Sequence, residues 1–119
     1  MKRDILLYIE DILQAINDLE SFVANVEFAN FINDIKTVYA VTRALEIIGE
    51  ATKNIPESVR QDYPQVPWRQ MAGMRDKLSH EYFGVNLKVL WDTAKHSVPN
   101  IKPAVEIVRK DLTTAKSDA

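Results

Sequence analysis

Residues 4–23, DILLYIEDILQAINDLESFV, decide the fold class of this chain. Hydrophobic residues recur in this stretch at alternating steps of four and three: Ile5, Ile9, Ile12, Ile16, Leu19 and Val23. This spacing places them on one face of an α-helix, because a half-buried strand would alternate with a period of two. The stretch contains neither glycine nor proline. It therefore predicts a long amphipathic helix that needs an antiparallel partner helix.

The partner is predicted directly downstream. Hydrophobic residues at similar spacing indicate a second helix from about Asn30 to Lys53, and the sequence NIP at 54–56 ends it. The proline-rich segment that follows is a connector, with one helical turn predicted at residues 57–62. Pro67 suits the first turn of a third helix, predicted from Trp68 to about Tyr82 and ending near Gly84.

The last third of the chain predicts two more helices. Asn86 is expected to cap a fourth helix over residues 87–97, followed by a bend at Pro99 and a last helix over residues 100–112. Residues 113–119 are expected to fray. Trp68 and Trp91 are expected in the core. The whole chain, residues 1–119, is thus predicted to be one domain, an all-α antiparallel bundle of about five helices.

Composition excludes several classes of site. The 119 residues contain no cysteine, which excludes disulfides, thiolate metal sites and cysteine nucleophiles, and fits a reducing cytoplasm. Two histidines do not make a zinc site unaided, so no metal or cofactor is predicted. Acidic residues interrupt the first hydrophobic run, so we expect a soluble protein without a signal peptide or membrane span. A net charge of −2 argues against a basic surface that coats nucleic acid non-specifically.

Residues 74–84, MRDKLSHEYFG, hold the candidate chemistry. Arg75 and Tyr82 are seven residues apart, so on a regular helix they lie nearly in line, two turns from one another. His80 follows Arg75 by five residues and is rotated from it by about 140°. One regular helix does not align all three residues. Either the helix end is distorted, or a second subunit supplies its own copy of the motif across a symmetric interface.

The residue types suit cleavage of RNA without a metal ion. His80 can accept the 2′-hydroxyl proton or protonate the leaving oxygen. Arg75 can hold two phosphate oxygens and stabilise the charge that develops on them. Tyr82 can stack on a base, donate a hydrogen bond or be modified. A plainer interpretation is a basic helix C-terminus with Tyr82 in the core, and spacing alone favours it.

Three longer blocks change this balance. Residues 40–56 (AVTRALEIIGEATKNIP), 63–86 (YPQVPWRQMAGMRDKLSHEYFGVN) and 89–106 (VLWDTAKHSVPNIKPAVE) resemble HEPN-domain proteins, specifically the HepT-like toxins. The family signature is arginine, four spacer residues, histidine, one residue and tyrosine, and it corresponds here to Arg75, His80 and Tyr82. Asp76 matches the polar residue that follows the arginine. The resemblance implies a symmetric dimer with two motifs in one cleft, and a metal-independent endoribonuclease that needs Arg75 and His80.

The resemblance also implies a partner. Such toxins pair with a minimal nucleotidyltransferase antitoxin of the MntA type, which adds AMP to the motif tyrosine, here Tyr82. The added negative charge would repel RNA phosphate from Arg75. Some HEPN domains are instead non-catalytic companions of nucleotidyltransferases, and that alternative stays open, as does a purely structural helical bundle.

Further residues are predicted to assist the motif. Glu50, beside Gly49 in the second helix, either has a structural role or orients Arg75 or His80, and Asp76 and Ser79 are expected to support the motif from within. Three basic residues are expected to position RNA, with ordinary surface charge as the alternative: Arg69, Lys77 and Lys88.

Overall fold

A computed structural model describes residues 3–81 and 86–118, with the side chains of 75–81 and 118 left undescribed. Within those ranges every regular element is helical, which confirms the predicted all-α class. Seven α-helical segments and one π-helical segment follow one another along the described chain. None of the described helices is both long and apolar enough to cross a membrane.

Helix α1, Ile5–Val23, matches its prediction. Its first turn is capped by Asp4, whose carboxylate accepts a hydrogen bond from the backbone N–H of Leu6 at 2.9 Å. The predicted hydrophobic stripe is buried, apart from Ile5, which is half-buried. Helix α1 packs between α3 and α7 and forms the centre of the core.

The predicted start of the second helix, at about Asn30, is wrong. The structure has a short helix α2, Phe28–Phe31, a turn, and then α3, Ile35–Lys53. The turn forms because Asp34 acts as an N-cap, accepting from the backbone N–H of Thr37 at 3.2 Å and from the Thr37 hydroxyl at 2.6 Å. These hydrogen bonds hold the pKa of the Asp34 carboxyl below its usual value. The turn also lets Phe31 enter the core, where it is fully buried.

Helix α4, Glu57–Asp62, confirms the predicted turn in the connector. Arg60 ties it to the end of α3, donating from Nε to the carbonyl of Ile55 at 3.0 Å and from Nη2 to that of Thr52 at 2.8 Å. Helix α5, Trp68–Glu81, begins beside this junction and packs along α3. It therefore runs back toward the start of α3. The predicted end near Tyr82 and Gly84 lies outside the described residues.

The C-terminal region is more continuous than predicted. Asn86 caps α6, Leu87–Asp92, as expected, accepting from the backbone N–H of Lys88 at 2.9 Å. A π-helical segment, Thr93–Ser97, then leads directly into α7, Val98–Asp118. The predicted break between residues 97 and 100 is wrong: the wider π-helical turn comes just before Pro99, and the helix continues through this proline into α7. The tail predicted to fray is helical to Asp118, and Lys116 forms an ion pair with Asp4.

Helices α1 and α7 run in opposite directions. Lys102 Nζ lies 3.0 Å from Glu20 Oε1, and Lys95 Nζ donates to the carbonyl of Val23 at 2.9 Å, so the start of α7 meets the end of α1. Both tryptophans lie in the core as predicted, each 6% exposed. The bundle thus has two ends. One holds the start of α1 and the end of α7, and the other holds α2, α6 and the end of α5.

Candidate functional site

The candidate motif lies in the second half of α5. The backbone of Arg75, Asp76, Lys77, Ser79 and His80 is α-helical in the structure. Their side chains, and Tyr82 as a whole, lie outside the described residues. The structure therefore brings the arginine and histidine positions onto one helix at the α2–α6 end of the bundle.

The helix is regular across the motif. The α-helical backbone extends without interruption from Trp68 to Glu81, so no tightened or unwound turn separates Arg75 from His80. Their positions remain about 140° apart around the helix axis. Two explanations were offered for how both residues could serve one reaction, a distorted helix end and a second copy of the motif. The structure contradicts a distortion between Arg75 and His80. The contribution of a second copy stays a prediction.

Glu50 lies on α3, the helix along which α5 packs. Its side chain is 39% exposed, and its Oε1 lies 3.8 Å from Arg43 Nη1. Arg43 Nη1 also lies 3.3 Å from Glu46 Oε2, so one arginine joins two carboxylates along the outer face of α3. The adjacent Gly49 is buried. Glu50 thus lies on a helix that contacts the motif helix, on a surface that combines positive and negative groups.

The predicted RNA-positioning residues are not all brought together. Arg69 lies in the first turn of α5, in an open cleft of about 580 Å³ between α4 and α5. Six residues of helix, about 9 Å, separate it from Arg75. Lys88 lies on α6 at the opposite end of the bundle, where its Nζ is 3.4 Å from Asp92 Oδ1 and 5.1 Å from the centre of the Phe28 ring. The backbone of Lys77 lies between them on α5.

The structure also shows a cleft that the sequence did not predict. It has a volume of about 560 Å³ and lies at the α2–α6 end, between the turn that follows α1 and the π-helical segment. Asn25 in this turn has a left-handed backbone, with φ of 59°. Lys95 and His96 line the opposite wall, and Lys95 Nζ lies 5.3 Å from the centre of the Trp91 ring. The spacing of Trp91 and Lys95 is the local sequence signal for this contact. Within the described ranges, no group of three or more histidine and carboxylate side chains is positioned to hold a metal ion.

Comparisons with known proteins show which family this chain belongs to. A sequence model described as ribonuclease HepT-like matches residues 12–108. A Thermococcus cleftensis protein named "Probable ribonuclease HepT" is 52% identical over 110 residues, which cover 92% of this chain and 100% of that protein. Two Methanocaldococcus jannaschii proteins named as candidate RNases are 48% and 47% identical over 111 residues, covering 93% of this chain and 92% and 96% of theirs. No solved structure matches the chain.

These matches cover the parts of the fold that carry the motif. The family model extends from the middle of α1 to the middle of α7 and includes the whole of α5. The relatives match over nearly their full length, so the similarity is not confined to the short motif. The resemblance noted from the three sequence blocks is therefore confirmed, and the chain belongs to the ribonuclease HepT-like family of HEPN proteins.

Proposed function

We propose that this protein is a metal-independent endoribonuclease, the toxin of a toxin–antitoxin pair of the type II/VII kind. The observation that carries the proposal is the placement of Arg75 and His80 on one continuous α-helix in a chain that belongs to a ribonuclease family. The proposed active unit is a symmetric dimer: the two positions are about 140° apart on α5, and a second copy can bring its own motif to the same phosphate. The absence of cysteine fits action in a reducing cytoplasm.

The reaction needs proton transfer and charge stabilisation at one phosphodiester. A histidine accepts the proton of the 2′-hydroxyl, whose oxygen attacks phosphorus, and a protonated group returns a proton to the departing 5′-oxygen. The products are a 2′,3′-cyclic phosphate and a 5′-hydroxyl. Each positioned proton transfer accelerates the reaction by about 100- to 10,000-fold. The fork of Arg75 neutralises the charge that accumulates on the non-bridging oxygens.

The histidines of this chain allow a matched test. His80 lies in the motif helix, whereas His96 is exposed on the π-helical segment. Purified protein should cleave RNA in the presence of EDTA and leave cyclic phosphate ends, and a 2′-deoxy substitution at the cleaved position should block cleavage. His80→Ala should abolish cleavage, and His96→Ala should retain it. Equal activity in His80→Ala and the wild type would refute the catalytic role.

The partner is proposed to be a minimal nucleotidyltransferase that adds AMP to Tyr82. Phosphate groups placed next to Arg75 would compete with RNA for that positive charge. Co-expression with the product of the adjacent reading frame should add the mass of AMP to Tyr82 and silence cleavage, while Tyr82→Phe should stay active in the same cell. An unmodified Tyr82 in a silent complex would contradict this mechanism.

The non-catalytic alternative gives a different result in cells. A ribonuclease expressed alone should arrest growth, and His80→Ala should relieve the arrest. A binding subunit of a nucleotidyltransferase should be harmless in both forms.

A further inference from the structure

Gly73 lies in the middle of α5, where the packing of the described residues gives no reason for a glycine. Glycine is among the least favourable residues inside a helix, because it loses more conformational freedom on folding than alanine does. A Cβ built on Gly73 would meet no heavy atom within 4 Å, apart from its chain neighbours and the backbone of its own helix. The close approach of another molecule to the helix would explain a glycine at this position.

Gly73 shares one face of α5 with two other positions. Arg69 precedes it by four residues and His80 follows it by seven, so the three positions lie within about 40° of one another around the helix axis. The position of Arg75 lies about 140° away from that of His80. The three aligned positions extend over about 16 Å of helix. They define what we call the Arg69–His80 face.

The Arg69 end of this face opens into the cleft of about 580 Å³ between α4 and α5. Two arginines and one glutamate line this cleft, so its charge favours an anion: Arg60, Arg69 and Glu57. Three glutamines line it as well: Gln61, Gln65 and Gln70. An arginine fork binds phosphate oxygens, and side-chain amides donate to and accept from the edges of unpaired bases. These groups suit a single-stranded nucleic acid.

We propose that single-stranded RNA lies along the Arg69–His80 face of α5, and that its sugar–phosphate chain comes closest to the helix at Gly73. Arg69 binds a phosphate at the end next to the α4–α5 cleft, and His80 lies at the other end, where cleavage is proposed. The positions of Asp76 and Lys77 lie on either side of the line from Gly73 to His80, so their opposite charges offset one another.

This inference rests on the proposed function and adds to it the direction in which the substrate extends. RNA continues from the cleaved bond toward the start of α5, where Arg69 is exposed. The glutamines then contact bases beyond the cleaved bond. Because a duplex keeps these base edges paired, RNA in a perfect duplex should bind more weakly than the same sequence as a single strand.

Gly73→Ala tests the close approach through two measurements that should change in opposite directions. Alanine should raise the melting temperature by about 4 °C, because it favours the helix and its Cβ meets open space. It should weaken binding of a fluorescent single-stranded RNA by about tenfold, because the methyl group holds the phosphates away from their partners. Gly73→Leu should weaken binding further. Fluorescence anisotropy measures the dissociation constants, with His80→Ala in every chain so that the RNA stays intact.

The matched control for added bulk is Ala115→Leu, on the exposed surface of α7, which should leave RNA binding unchanged.

Arg69→Gln tests the phosphate contact, because it removes the charge and keeps a polar side chain. Binding should weaken by about fivefold. The slope of log Kd against log salt concentration should fall by about 0.7, which is the contribution of one phosphate contact on a single strand. Arg109→Gln, the same change on the exposed surface of α7, should alter neither quantity.

The possible outcomes distinguish this inference from the proposed function. Unchanged RNA affinity in Gly73→Ala, or an unchanged salt slope in Arg69→Gln, would overturn the inference. A Gly73→Ala variant whose free form sediments differently from the wild type would also overturn it, since a protein surface would then approach at Gly73. If both variants bind RNA as expected but the chain with His80 intact never cleaves it, the inference stands and the proposed function fails. If RNA is cleaved and both variants match the wild type, the reverse holds.

Discussion

Helices α1 and α5 both pack against α3, yet they use their residues differently. In α1 the hydrophobic stripe continues along the whole helix, and Ile9, Ile12, Ile16 and Leu19 are fully buried. In α5 the first half follows the same rule, with Trp68 6% exposed and Met71 fully buried. Residues 75–81, RDKLSHE, then contain a single hydrophobic residue. The first half of α5 anchors the helix in the core, and the polar composition of its second half is typical of a stretch that carries chemistry.

This comparison predicts that substitutions in the two helices affect different properties of the protein. A change in α1 should lower stability and leave the chemistry of the folded molecules intact. A change in the second half of α5 should do the reverse.

The largest effect is expected at Arg75. Arg75→Ala should lower the cleavage rate by about 100- to 1,000-fold, the usual cost of removing a group that stabilises developing charge. Arg75→Lys should recover part of this loss, because lysine restores the charge but not the planar fork. Rates are measured on a fluorescent RNA under single-turnover conditions, alongside thermal melting. If the melting temperature of Arg75→Ala also falls strongly, Arg75 stabilises the fold. Substitutions in α1 and in the second half of α5 would then have the same kind of effect.

The next largest effect is expected in α1. Ile16→Ala should lower the free energy of unfolding by about 2–5 kcal/mol, because the side chain is fully buried and its removal leaves a cavity. Leu7→Ala on the same helix is the matched control, since Leu7 is 41% exposed and should cost far less. Urea unfolding followed by circular dichroism measures both. The cleavage rate per folded molecule should match the wild type in each variant.

Much of the fold could be predicted because several segments are determined by residues close together in the sequence. The stripe of α1 and the Asn86 cap were confirmed, since each depends on residues within two turns. The start of α3 was missed because hydrophobic spacing continues through residues 30–35, whereas the cap at Asp34 and the burial of Phe31 break the helix there. The continuity from α6 to α7 was missed because a π-helical segment precedes Pro99, and proline spacing cannot reveal a wider turn.

The candidate site could be predicted only by combining the spacing of its residues with similarity over longer blocks of sequence. Spacing placed Arg75 and His80 on one helix, which the structure confirms, but it favoured a plain helix end. Similarity over long blocks changed that interpretation, and membership of a ribonuclease family supports it.

A smaller effect is expected where α2 and α3 meet, because capping stabilises a helix end without adding to the core. Asp34→Ala should lower the melting temperature by about 5 °C, since the backbone N–H of Thr37 loses its acceptor. Asp34→Ser should retain most of the stability, because a serine hydroxyl also caps. Differential scanning calorimetry measures both. If alanine and serine behave alike, helix capping does not explain the break between α2 and α3.

The smallest effect is the pH dependence of the same cap. Hydrogen bonds from Thr37 lower the pKa of Asp34 below its ordinary value of 3.8, so the folded state prefers the charged carboxylate. The resulting stability is fully present above pH 3.8 and is lost as the pH falls through the lowered pKa of the folded state. Asparagine at this position caps without titrating, so the difference in melting temperature between wild type and Asp34→Asn should be constant from pH 7 to pH 5 and should shift toward the variant in more acidic buffer. The pKa of Asp4 is lowered in the same direction, by Lys116 and the Leu6 amide. Asp4→Asn should therefore show the same shift of melting temperature with pH. A difference that stays constant down to the acid limit of folding would mean that the carboxylate charge contributes nothing to either cap, and that the ends of α1 and α3 depend on hydrogen-bond geometry alone.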